Sequence, residues 1–95
     1  MDSPTKAQFD EIFNALKSVM MNFLDTEEEK LMPGTQLAEL GLESLDYVEI
    51  QVELAKRYGV NLEEKVFTSG QVQTLEQFTN YVYQLRENLK TNTAS

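Results

Sequence analysis

The sequence predicts an all-α fold, a small antiparallel four-helix bundle of three main helices plus a short third one. Three observations lead there. Apolar residues recur at spacings of three and four in separate segments, which is the helical period. No alternating strand pattern runs longer than a few residues. The chain has 95 residues, 41% of them hydrophobic, which suits one domain around one small core. Residues 1–89 are expected to form that domain, and residues 90–95 a disordered tail with nothing to bury.

The first helix is expected from about Pro4 to Leu24, with Ser3 as its cap and Pro4 at its first position. Phe9, Ile12, Phe13, Leu16, Met20 and Phe23 make its apolar stripe. From Asp25 to Glu43 the chain reads as a long loop. Glu27, Glu28 and Glu29 belong to solvent, Pro33-Gly34 marks a turn, and Leu37, Leu40 and Leu42 can pin the loop to a core. The second helix runs from about Ser44 to Tyr58, where Gly59 is a natural stop. Asn61 to Gly70 is polar and leaves room for one brief helix. Thr74 with Gln77 three residues later is a capping-box pattern. It opens a last helix with Leu75, Phe78, Val82, Leu85 and Leu89 as its stripe.

Composition removes several function classes. The formal net charge is −8 and the isoelectric point is near 4.4. Such a surface repels phosphate backbones, so nucleic-acid binding is not expected, and it favours partners with basic patches. No apolar run approaches the roughly 20 residues of a membrane span, and no secretory leader is visible. There is no cysteine and no histidine. Disulfides are excluded, and so are the commonest general base and the commonest metal ligand. With no G-x-S-x-G elbow either, no catalytic residues and no enzyme activity are expected. No metal site is expected: Asp25 to Glu29 lacks the spaced ligands and central glycine of an EF-hand loop. The chain is expected to be a cytoplasmic monomer.

The second helix carries more than structure requires. At about 100° per residue, Tyr47, Ile50, Leu54 and Tyr58 share one face and suit the core. Leu45, Val48, Val52 and Ala55 share a second face on roughly the opposite side. Asp46, Glu49 and Glu53 lie together on one flank between them. The second stripe is either covered by neighbouring elements or an apolar docking ridge edged with carboxylates. Ser44, at the head of this helix, reads from residue type alone as an N-cap.

The stretch Leu37-Ala38-Glu39-Leu40-Gly41-Leu42-Glu43-Ser44-Leu45-Asp46 resembles the attachment signature of acyl carrier proteins, in which an L-G-x-D-S-L core precedes the second helix. The similarity continues through Tyr47-Val48-Glu49-Ile50 and Tyr58. It resumes at Thr74-Leu75-Glu76-Gln77-Phe78 and at Tyr81-Val82, so it covers most of the chain from about Gly34 to Val82. The resemblance implies a carrier domain that is not an enzyme, and the length of 95 residues leads to the expectation of a free-standing one. It implies a 4′-phosphopantetheine arm on the Ser44 hydroxyl, donated by coenzyme A through a phosphopantetheinyl transferase. The arm's thiol would hold acyl intermediates as thioesters for fatty-acid, polyketide or related acyl-chain synthase and transferase enzymes. Those partners would read Glu43, Leu45, Asp46, Val48, Glu49, Val52 and Glu53.

Two positions depart from the family pattern. Glu43 stands where aspartate usually precedes the modified serine, and Val66 to Gly70 replaces a short acidic helix that lines the family's acyl cavity. Two other readings are an unmodified interaction module of carrier ancestry and a peptidyl carrier, although relatives of the latter kind more often show L-G-G-x-S-L.

Overall fold

The computed structural model describes residues 4–24 and 26–94, with side chains described to residue 89. Helix α1 spans Lys6–Phe23, α2 Ser44–Tyr58, α3 Lys65–Thr68 and α4 Leu75–Ala94. No β-strand occurs among the described residues; one isolated bridge joins Gln36 and Thr74.

The first helix starts later than the Pro4 start read from the sequence. Thr5 caps it through a reciprocal pair: the Gln8 amide donates to Thr5 Oγ1 at 3.2 Å, and the Thr5 amide donates to Gln8 Oε1 at 2.9 Å. This satisfies two donors at the helix start, so Pro4 lies ahead of the helix. Ser3, the expected cap, lies outside the described residues. Ile12, Phe13, Leu16 and Met20 are buried as their spacing requires, and Val19 joins them. Helix α1 packs on both α4 and α2, more extensively on α4.

The long segment after α1 is ordered by short 3-10 turns at Glu28–Lys30 and Leu37–Leu40. Leu31 and Leu37 are buried, and Leu40 and Leu42 pack partly against the core. Its backbone also completes α4. The Glu76 amide donates to the Pro33 carbonyl at 2.8 Å, and the Leu75 amide donates to the Thr35 carbonyl at 3.0 Å. In return the Leu37 amide donates to the Gln73 carbonyl at 2.7 Å. The first amides of a helix have no partner within it, so the loop is tied down by the groups that α4 must satisfy anyway.

Thr74 and Gln77 form the expected capping box on α4: the Gln77 amide donates to Thr74 Oγ1 at 3.1 Å, and the Thr74 amide donates to Gln77 Oε1 at 3.2 Å. Leu75, Phe78 and Val82 are fully buried. Burying a side chain of this size contributes about 1.5–3 kcal/mol. Leu89 does not extend the stripe; it is exposed, one turn beyond Leu85, the last of these side chains packed on the core. The helical backbone continues to Ala94, into the segment for which the sequence predicts a tail.

Between α2 and α4 the chain makes one helical turn, α3. Gly70, at φ 86°, follows it in the left-handed region that glycine tolerates best. Val66 from this turn is buried, and Phe67 reaches into a ring cluster. Its centroid lies 5.1 Å from Tyr47 of α2, and 5.2 Å from Phe78 and 6.4 Å from Tyr81 of α4. The Glu63 amide donates to the Tyr81 hydroxyl at 3.1 Å, and the Val72 amide donates to the Val66 carbonyl at 3.0 Å. The turn is thus held on both sides.

Candidate functional site

The approach to α2 decides what Ser44 can do. Gly41 closes the Leu37–Leu40 turn at φ 67°, a left-handed conformation that costs glycine no Cβ clash. Leu42 then leans on the core and Glu43 takes the N-cap position, with extended backbone at φ −104° and ψ 170°. The Glu43 amide donates to Asp46 Oδ2 at 2.9 Å, and the Glu43 carbonyl accepts from the Tyr47 amide at 3.2 Å.

Ser44 is therefore the first helical residue and not the cap, which corrects the reading from residue type alone. It is exposed, and among the described residues no hydrogen bond engages its hydroxyl. A serine at the N-cap itself is usually tied to the backbone of its own helix. Here the neighbouring glutamate and aspartate organise the helix start and leave the serine oxygen available.

The ridge below Ser44 is open. Leu45 is 65% exposed, Val48 51% and Val52 47%, and Ala55 is exposed as well. The loop does not cover this stripe, so the alternative of a doubly packed helix does not hold. On the opposite face Ile50 and Leu54 are buried, with Tyr47 and Tyr58 half-buried.

The acids on the flank are not a purely solvated face. Asp46, Glu49 and Glu53 are each half-buried, whereas Glu43 is exposed. Asp46 is used in the helix start, and Glu53 pairs with Lys56 at 3.7 Å.

Burial raises the pKa of Tyr47 above its ordinary value. It does the same for Tyr58, where the carboxylate of Glu11 adds to the rise and Arg86 and Arg57 oppose it. Arg86 sits 5.7 Å from the Tyr58 ring and 6.0 Å from Tyr83, and 3.8 Å from Glu11 of α1. These contacts tie the far end of α2 to its neighbours, away from Ser44.

A cleft of about 360 Å³ opens beside the first turn of α2. Tyr47 and Phe67 line it, with Gln36, Thr68, Ser69 and Gln73 among its polar residues. The sequence reading assigned Tyr47 to the core and left Phe67 unplaced. The available signal was position: Tyr47 is the end member of its stripe, where a tyrosine can bury its ring and leave its edge at the surface. A second cleft is lined in part by Lys30, Glu39, Leu40 and the exposed Met32. Among the described residues no group of carboxylates could hold a metal ion, and no helix is long and apolar enough to cross a membrane.

A small acidic helical bundle with an exposed, unengaged serine at the head of its second helix has the form of a carrier domain. Residues 14–82 match the protein family described as "Phosphopantetheine attachment site". The chain belongs to that family, which includes the acyl carrier proteins: non-catalytic domains whose cofactor is a covalently attached 4′-phosphopantetheine. It is 32% identical over 60 residues to the protein named "Acyl carrier protein 5, chloroplastic" of Arabidopsis thaliana, a match covering 63% of this chain and 42% of the relative. The match thus spans less than half the length of that plant protein.

Proposed function

We propose that the chain is an acyl carrier and that Ser44 is the residue that receives the phosphopantetheine arm. The observation that carries this reading is the unengaged Ser44 hydroxyl at the first position of α2. It lies within the part of the chain that matches the family. The arm, when bound, supplies a terminal thiol that holds an acyl group as a thioester, so a cysteine-free chain needs no thiol of its own.

The residues present fit such a group. A phosphodiester on Ser44 Oγ sits at a helix N-terminus, where unpaired amides and the positive end of the helix dipole favour an anion. Glu43 and Asp46 oppose it by charge repulsion, while Asp46 holds the Glu43 amide and keeps Ser44 turned to solvent. The hydroxyl is also accessible to a transferase, which would take its proton as the Ser44 oxygen bonds to the pantetheine-bearing phosphorus of coenzyme A, the pyrophosphate bond breaks and 3′,5′-ADP leaves.

Leu45, Val48 and Val52 then offer an apolar anchor to partner enzymes, and Glu43, Asp46, Glu49 and Glu53 orient basic patches on them. A narrow ridge suits a carrier that must leave each partner again, since small contact areas go with short-lived complexes. Fatty-acid, polyketide and related synthases and transferases are the partners that this reading names, with the carrier working as a monomer. The cysteine-free composition suits a reducing compartment such as the cytoplasm.

The test is transfer of labelled pantetheine from coenzyme A by a broad-specificity phosphopantetheinyl transferase. The wild-type chain should take up label and Ser44→Ala should take up none. Equal labelling of both, or of neither, would overturn the assignment. An unmodified interaction module predicts instead that Ser44→Ala keeps its biological activity.

A further inference from the structure

We propose that Phe67 is a specificity-determining residue: it closes the interior to cargo, so that the chain favours acyl groups carrying oxygen over saturated ones. This rests on the carrier reading of Ser44 and deepens it. The argument begins with the position of the cleft. Tyr47 lies three residues after Ser44 on the same helix, so its ring is within one helical turn of the arm's attachment point. The cleft that Tyr47 lines is therefore a concave surface beside the head of α2.

What lies beneath that cleft is ring against ring. Phe67 stands between Tyr47 and Phe78, at 5.1 Å from one and 5.2 Å from the other, and meets Phe78 and Tyr81 edge-on. Interplanar angles of 72° and 88° with these two are those of favourable edge-to-face pairs. Phe78 is fully buried, so the cluster runs from the cleft floor into the core. An alkyl chain entering between Tyr47 and Phe78 meets the Phe67 ring, and α3, which carries it, is held by the hydrogen bonds on either side.

The mouth of the cleft is the reverse in character. The buried Leu37 and Val72 also line the cleft, while beside Ala38 the polar residues Gln36, Thr68, Ser69 and Gln73 are exposed there. A saturated chain laid across them would displace water from amides and hydroxyls and offer no hydrogen bond in return, which is unfavourable. A β-hydroxy or β-keto oxygen can replace the lost water. The floor stops depth and the rim rewards polarity, and both select the same class of cargo. The saturated chain would instead stay in solvent or on a partner enzyme.

The test uses a broad-specificity phosphopantetheinyl transferase to move the acyl-phosphopantetheine group of octanoyl-coenzyme A or of β-hydroxyoctanoyl-coenzyme A onto the Ser44 oxygen, with cleavage of the pyrophosphate bond and release of 3′,5′-ADP. It then compares amide spectra of the two loaded proteins with those of the arm-only form. The β-hydroxyoctanoyl form should shift the amides of Thr68, Ser69 and Gln73. The octanoyl form should leave them, and those of Ile50, Leu54 and Phe78, at their arm-only positions. In Phe67→Ala the octanoyl chain should shift the core amides, and its thioester should react with hydroxylamine roughly tenfold more slowly than in wild type, the factor carried by 1.4 kcal/mol of shelter.

Gln73→Leu changes an exposed rim residue and keeps the result decisive if Phe67→Ala does not fold. It should weaken the β-hydroxyoctanoyl shifts while the fold persists. Core shifts caused by octanoyl in the wild-type chain would overturn this inference and leave the carrier reading standing. Failure of both thioesters to load at Ser44 would overturn the carrier reading and this inference with it.

Discussion

Replacing Ser44 with alanine separates the two roles a serine can have at a helix head. If the hydroxyl capped α2, its removal would cost about 1 kcal/mol of stability. In the structure Glu43 holds the cap position and no hydrogen bond engages the Ser44 oxygen among the described residues. The loss should therefore stay within about 0.5 kcal/mol, the range of surface substitutions that touch no special feature. Alanine's better helix propensity, worth up to about 0.7 kcal/mol, could even turn the change favourable.

Thr74→Ala is the internal control. Thr74 Oγ1 accepts from the Gln77 amide at 3.1 Å, so its removal should cost about 1 kcal/mol. Urea denaturation followed by circular dichroism reads both. With slopes of about 1–3 kcal/mol/M for small domains, Thr74→Ala should lower the midpoint by roughly 0.3–1 M while Ser44→Ala leaves it in place. Equal losses in the two variants would refute the reasoning, because Ser44 would then be serving the helix and not standing free.

Three further outcomes follow from the same geometry. Leu45→Ala and Val48→Ala should leave stability within about 0.5 kcal/mol. Each should weaken binding to the transferase by roughly tenfold if the side chain is buried in that contact, as calorimetry can measure. Association with the transferase should slow as salt rises past about 0.1 M, where the Debye length is about 10 Å. In stopped-flow measurements Glu49→Gln should flatten that dependence more than Glu53→Gln, because Lys56 already offsets Glu53. Tyr47 and Tyr58 have pKa values raised in the folded state. The stability that each contributes is complete below the unfolded value of about 10 and is lost as pH rises through the folded value. Ultraviolet titration should show these two phenols ionising after an unstructured tyrosine would.

The helices were legible because their stripes must be buried at fixed spacing. Ile12, Leu16 and Met20 in α1, Ile50 and Leu54 in α2, and Leu75, Phe78 and Val82 in α4 all went where periodicity sends them. Thr74 and Gln77 were legible because their side chains act within one turn. Less local features were not. The carbonyls of Pro33 and Thr35 accept from the head of α4, and a backbone carbonyl leaves no mark in residue type. Thr5 and Ser3 are both good caps, and only the partner side chain of Gln8 decides for Thr5.

Phe67 was hidden for a similar reason. A single aromatic in a four-residue turn has no periodicity, and its role depends on rings from two other helices. At the site, the motif around Ser44 pointed to the residue. Its freedom depended on Glu43 taking the cap, which needs backbone angles to see.

Mass analysis after treatment with coenzyme A and a phosphopantetheinyl transferase tests the central claim most directly. The intact chain should gain about 340 Da, the increment of one phosphopantetheine. Fragmentation should place that increment on the peptide containing Ser44 and on no other serine. An unchanged mass with several transferases, or an increment on a different residue, would contradict the account.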